Sequence, residues 1–210
     1  MGAGGLALNL RTFLARPALQ VAPELLGATV RVDSAEGAVL IRLTEVEAYE
    51  GPADPASHAF RGPTRRTAVM FGPPGRLYVY FSYGMHWCVN VVCQPDGTAG
   101  AVLLRAADVV EGIELVRRRR PGVRAERDLA RGPARLAASL GLTGHDDGTD
   151  LLDPSSRAQL VTGRRTAEIC NGPRVGISAG AELPWRFWLS GAPSVSRFRP
   201  GKTRSGRLTT

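Results

Sequence analysis

Polar and apolar residues alternate over two early stretches, and the alternation predicts strands at 28–32 and 38–48. Ahead of them, apolar residues recur at near-helical spacing over 14–26, interrupted by Pro17 and Pro23, which predicts short helices. The segment 51–74 is rich in Pro and Gly and reads as a long, structured loop. Aromatic and β-branched residues crowd 77–92, the mark of a strand pair or of one long strand bent at Gly84. A strand at 99–106, a helix at 110–120 and a helix at 129–140 with Gly132-Pro133 near its start come next. A polar loop at 142–157 precedes strands at 158–161, 174–178 and 185–189. Scattered strands with helices between them, and no strict βαβ alternation, indicate an α+β fold. The expected architecture is one domain at 13–197, a mixed, mostly antiparallel curved sheet with surrounding helices. Flexible tails are expected at 1–12 and at 198–210, the latter Arg-rich.

Composition narrows the class. Of 210 residues, 43% are hydrophobic and 22% charged, as in ordinary globular proteins, and no apolar run is long enough to span a bilayer. The start lacks the charged region of a signal peptide, and a cytoplasmic location is expected. Three cysteines without a CxxC pair fit buried thiols in a reducing compartment. His86, Cys88 and Cys93 make a poor metal set, since the two cysteines would face opposite sides of a strand and a fourth ligand is not apparent. Charge adds more: the net value is +8, and Lys202 is the one lysine among 27 basic residues. Arginines cluster at Arg61/Arg65/Arg66, over 117–120 and over 197–207. Such a surface favours a polyanionic partner, nucleic acid first.

Strand alternation over 38–48 places Val39, Ile41, Leu43, Glu45, Glu47 and Tyr49 on one face. An apolar face that turns acidic must put its carboxylates in solvent or give them partners. The run ending in Arg105 offers such a partner, as a structural ion pair or as a group that orients a carboxylate or its water. All four tyrosines, Tyr49, Tyr78, Tyr80 and Tyr83, fall within one short stretch beside both acids and His58. They serve as core packing or as stacking platforms for an extruded base. A glycoside hydrolase working with Glu45 and Glu47 as its carboxylate pair is an alternative that the basic surface disfavours. A nucleic-acid-binding module in which the tyrosines only stack is a second.

Specific motifs sharpen this choice. The run from Thr44 to Gly51 (TEVEAYEG), then Asp54-Pro-Ala-Ser-His58 and Met70-Phe71, resembles the alkyladenine (3-methyladenine) DNA glycosylase family. So do the run from Gly75 to Asn90 (GRLYVYFSYGMHWCVN), Val102-Leu-Leu-Arg105, Gly132-Pro133, Pro173-Arg-Val-Gly-Ile177 and Pro184-Trp-Arg-Phe187, in the same order. The resemblance spans about 14–197. It implies a monofunctional glycosylase of base excision repair that flips damaged purines from duplex DNA and hydrolyses the N-glycosidic bond. The substrates would be 3-methyladenine and 7-methylguanine, with hypoxanthine and ethenoadenine as further candidates.

By the same resemblance Glu47 is the general base and Arg105 helps hold the water. Tyr49, His58, Tyr80 and Asn90 line the base pocket, Tyr83 fills the gap in the duplex, and Met85 supports it. Neither metal nor cofactor is implied. The expected partner is double-stranded DNA carrying damaged purines, met by a monomer at the bacterial nucleoid and not at a membrane. One departure stands out: Thr67 occupies the place where the family usually has Asn, within Arg65-Arg66-Thr67.

Overall fold

The computed structural model describes residues 10–161, 163 and 167–201. The expected tails fall largely outside that range, Lys202 included. Their inner ends are described and packed: Leu10 is buried, Arg11 pairs with Asp150, and Arg199 accepts a hydrogen bond from Gly176. No described helix is long and apolar enough to cross a membrane.

Eight strands form one curled antiparallel half-barrel. They are β1 (Thr29–Ser34), β2 (Gly37–Tyr49), β3 (Leu77–Ser82), β4 (His86–Cys93), β5 (Gly100–Glu111), β6 (Ala158–Val161), β7 (Ile169–Gly172) and β8 (Arg186–Leu189). The main path runs β3-β4-β5-β2-β1-β6. One edge of β2 is shared: its first half pairs with β1, and Glu45–Glu47 pair with β8. Helices α1 (Ala18–Leu25), α2 (Ile113–Arg119) and α3 (Pro133–Leu140) cover one face and close the main core. The loop 51–74 packs on the other face through a smaller cluster that includes Ala59, Met70 and Tyr78.

Several expectations need correction. Alternation does not hold along β2: the main core takes Val39, Ile41 and Leu43, then switches to Val46 and Ala48. The cause is a pair of register shifts against β5, between Leu43 and Glu45 and between Glu45 and Val46. Thr44 is an extra residue on one strand and Arg105 on the other, and each step past an unpaired residue flips the facing. Glu45, Glu47 and Tyr49 thereby leave the apolar face on which simple alternation placed them.

The helix expected over 110–120 begins only at Ile113, because Val110 and Glu111 still belong to β5. Gly112 ends the strand with φ +78°, where a Cβ would stand 2.3 Å from the Ala38 carbonyl oxygen. No strand forms over 174–178; β7 lies earlier, at Ile169–Gly172. Pro173 has no N–H to extend the ladder, Gly176 turns the chain at φ +74°, and the Arg174 side chain is drawn into the interior. The run 77–92 is a hairpin of two strands turning at Tyr83-Gly84.

The loop 51–74 starts at Gly51, with φ +58° and a would-be Cβ 2.1 Å from the Ala99 carbonyl oxygen. Gly84 has a similar φ, +65°, and open space around it. Gly84→Ala is expected to cost only the left-handed penalty of about 1–2 kcal/mol. Gly51→Ala adds a backbone clash and is expected to cost clearly more. Urea unfolding of both variants checks this, and equal costs would show that the loop does not depend on the close approach at Gly51.

Candidate active site

The face of the sheet away from the main core carries the polar residues. Across it lie Glu47 and Tyr49 of β2, Leu103 and Arg105 of β5, Cys88 and Asn90 of β4, and Tyr78 and Tyr80 of β3. Cross-strand pairing sets the order, with Glu47 opposite Leu103, Leu103 opposite Asn90, and Asn90 opposite Tyr78. These side chains, with His58, Arg66, Met70 and Val175, line a cavity of about 560 Å³. That volume suits one heterocyclic base and part of its sugar.

Glu47 is fully buried. Its Oε1 accepts from the Val175 N–H at 2.7 Å and lies 3.3 Å from Arg105 Nη1, while Oε2 accepts from the Tyr49 hydroxyl at 2.9 Å. A carboxylate offers about four lone-pair positions, and these contacts use three of them. The Tyr49 hydroxyl is held protonated, its pKa raised well above the usual value by burial and by the neighbouring Glu47 charge. Arg105 is disfavoured as a cation by burial, yet the Glu47 and Glu45 carboxylates outweigh that and raise its pKa.

Glu45 is also fully buried but takes no part in lining the cavity. Its Oε1 accepts from Arg105 Nε at 2.9 Å, Arg186 Nη1 at 3.2 Å and the Ser196 hydroxyl at 2.9 Å. Its Oε2 accepts from the Ser196 N–H at 2.7 Å. With that many donors it is committed to structure, and a two-carboxylate glycosidase geometry has no place here.

The aromatic wall is compact. Tyr78 and Tyr80 stack with ring centroids 5.6 Å apart, and His58 stands edge-on to Tyr80 at 4.5 Å. His58 Nδ1 is 3.0 Å from the Tyr78 hydroxyl, and the Asn90 amide donates to the Tyr78 carbonyl at 3.0 Å. The guanidinium of Arg66 lies 5.4 Å from the Tyr80 ring centre, so this face already accommodates a cation. Thr67 is buried and turned inward. It accepts from the Thr64 N–H at 2.9 Å and lies 2.9 Å from the Thr64 hydroxyl, locking the loop on itself.

Of Tyr83 and Met85, the first is among the residues lining the cavity and the second is not. They sit at the β3–β4 turn, 87% and 67% exposed, and Tyr83 holds φ +50°, a conformation that costs a non-glycine residue free energy. Half-exposed Phe81 extends the same apolar tip.

Residues 12–193 match the family description of methylpurine-DNA glycosylase. A relative from Leifsonia xyli, provisionally named a 3-methyladenine DNA glycosylase, is 57% identical, covering 86% of this chain and 88% of its own length. Relatives with the same name from Nocardia farcinica and Streptomyces avermitilis are 54% and 50% identical, covering 90% and 94% of each chain. The chain belongs to the methylpurine-DNA glycosylase family. Against that assignment, Glu47, Arg105, Tyr49, His58, Tyr80, Asn90 and Tyr83 all line one cavity, while Met85, exposed on the same turn as Tyr83, is not among its lining residues.

Arg174 was not singled out in the sequence for any role. It is buried, donates to both Asp54 carboxylate oxygens and to the Ala48 carbonyl, and lies between the Tyr49 and Trp185 rings at 4.6 and 4.9 Å. It anchors the turn whose next N–H reaches Glu47. An arginine flanked by Pro and Val gave no periodic signal of burial.

Desolvation against the tyrosine rings, and then the Arg66 charge, lower the His58 pKa to about 4. The imidazole is therefore neutral at pH 7 and adds no charge to the cavity. Because its folded-state pKa lies below the unfolded one, the fold loses stability as pH falls from about 6.5 towards 4. NMR titration of the ring should give a midpoint near 4. Arg66→Ala should raise it part of the way, desolvation being the larger cause. A midpoint near the ordinary 6.5 would mean that the ring is solvated.

Proposed function

We propose that the protein is a monofunctional DNA glycosylase that extrudes alkylated purines into this cavity and hydrolyses their glycosidic bond with Glu47 as general base. The observation that carries the reading is the Glu47 carboxylate, buried at the cavity wall with three partners, facing a tyrosine and histidine wall. The electron-rich Tyr78 and Tyr80 rings of the wall suit a purine made cationic by N3- or N7-methylation. Such a base leaves readily: the C1′–N9 electron pair returns to the ring and cancels its charge. Water bound to Glu47 forms the new C1′–O bond, and its proton passes to the carboxylate. Preorganised negative charge beside the oxocarbenium-like sugar lowers the same barrier. Water is the fitting nucleophile, since a Schiff-base route needs an amine and the one lysine of the sequence, Lys202, lies beyond the family match that ends at residue 193.

The exposed turn supplies the DNA contact. Tyr83, exposed on this turn and bordering the cavity, would enter the stack as the base leaves. Asn90, fixed to the Tyr78 backbone, narrows the pocket against the 2-amino group of normal guanine. The enzyme would act as a monomer on chromosomal DNA, which places it at the nucleoid in the cytoplasm.

Glu47→Gln keeps shape and hydrogen-bonding capacity, and is expected to slow base release roughly 10²–10⁴-fold while binding of lesion DNA persists. Glu45→Gln should act on the fold, losing about 3–5 kcal/mol because two buried arginines are left with too little negative charge. Its folded fraction should remain active. Single-turnover excision alongside urea unfolding separates the two, and matched loss of rate in both variants would overturn these roles.

Tyr83→Ala should narrow the preference for lesion duplex over undamaged duplex by about 1–3 kcal/mol, the worth of one stacked ring. Competition binding at fixed salt measures it. An unchanged preference would take Tyr83 out of the duplex.

A further inference from the structure

The segment 194–201 follows the last residue that matches the family description, residue 193, and runs against the back of the site. Arg131 Nε donates to the Val195 carbonyl at 2.8 Å, and the buried Ser194 hydroxyl lies 2.8 Å from that of Thr44, the extra residue in the bulge of β2. Phe198 covers the Arg186 guanidinium at 5.6 Å. The Arg199 carbonyl accepts from the Gly176 N–H at 2.9 Å, one residue past the N–H that holds Glu47.

Ser196 lies where these contacts converge. Its N–H and hydroxyl donate to the two oxygens of Glu45 at 2.7 and 2.9 Å. The same hydroxyl oxygen accepts from Arg105 Nη2 at 3.3 Å, and its carbonyl accepts from Arg186 at 3.5 Å. Arg105 is thus shared by three acceptors. Its contact with Glu45 is the shorter at 2.9 Å, and that with Glu47 the longer at 3.3 Å.

We propose that Ser196 is a positioning residue: by satisfying Glu45 with two neutral donors and holding one arm of Arg105, it keeps the guanidinium turned towards Glu47. This rests on Glu47 being the base. Without the hydroxyl, Glu45 Oε1 keeps only its two arginine donors and Arg105 Nη2 loses its acceptor. The guanidinium then settles further onto Glu45, the nearer carboxylate, and away from Glu47. A buried donor left without its acceptor adds to the change, since such a group must find another partner or bear the desolvation cost. Serine suits the position because one side chain both donates to the carboxylate and accepts from the guanidinium, which alanine cannot do.

The test is a set of full-length variants, Ser196→Ala, Ser196→Thr and Glu47→Gln, assayed on one oligonucleotide duplex carrying a single 7-methylguanine. Single-turnover release, Kd for the same duplex and the urea midpoint are read for each. The expected result is a roughly tenfold slower release in Ser196→Ala with unchanged Kd, and recovery in Ser196→Thr, which restores the hydroxyl. The alanine variant should show that loss under conditions where its urea curve shows it fully folded. Wild-type release by Ser196→Ala, with Glu47→Gln inactive, overturns the role of Ser196 and leaves Glu47 as the base. A loss that threonine does not restore, or one shared equally by rate and Kd, also overturns it, because a structural defect predicts those. Full release by Glu47→Gln removes the general-base reading and this proposal with it.

Discussion

Two carboxylates sit two residues apart on an interior strand, and neither reaches bulk water. An ionised group in that setting is tolerated only with close, well-aligned partners, and much of the surrounding architecture supplies them. Arg105 comes from the neighbouring strand, Arg186 from a second neighbour, Val175 from a turn and Ser196 from the C-terminal segment. These contacts span sequence separations from 60 to 151 residues, so no local piece of chain preforms the site. The cluster also balances: two glutamates face two arginines. Its two acids then differ in setting. Glu45 is saturated with donors and turned from the cavity, while Glu47 has three partners and lines it.

The bulged pair at Thr44 and Arg105 makes this possible. A strand that kept its alternation would hold both acids on the face packed beneath the helices, among the residues of the main core. By changing facing midway, β2 gives its first half to the main core and sends Glu47 and Tyr49 to the cavity face. Glu47 thus stands on a stretch of β2 that is paired on both edges. The group proposed to enter DNA is placed instead on an exposed turn with a left-handed tyrosine. Positioning to a fraction of an ångström and reach into a partner make opposite demands on the chain, and here different elements meet them.

Arginines divide along similar lines. Arg105, Arg174 and Arg186 are buried and work inside the fold, through bidentate contacts and aromatic stacking that lysine would not reproduce. Arg117 and Arg119, within the basic run at 117–120, are paired with Glu126 and Glu36. That cluster is therefore less available to a polyanion than its charge implies. Arg61, Arg65 and Arg66 remain exposed on the loop beside the cavity mouth, where phosphates of a bound duplex would pass. Net charge indicated the class of partner; pairing decides which arginines are free to meet it.

Much was determined by the sequence alone. Periodicity located most strands and the helices around Ala18–Leu25 and Pro133–Leu140, because those elements bury one regular face and the pattern records it. The α+β class followed from their order, and the family from long motifs around Glu47 and Tyr80. What tertiary structure alone decided lies where regular pattern stops. The facing of Glu45 and Glu47 depends on register shifts set jointly by two strands, which neither strand's own sequence encodes. The stretch 174–178 reads as a strand by composition, yet a buried guanidinium on Asp54 and a left-handed Gly176 hold it as a turn. Ser196 looks like any polar residue near a chain end until its partners are seen. Local propensity senses the few neighbours along the chain, whereas buried charges choose partners across the whole fold, and those choices built this site.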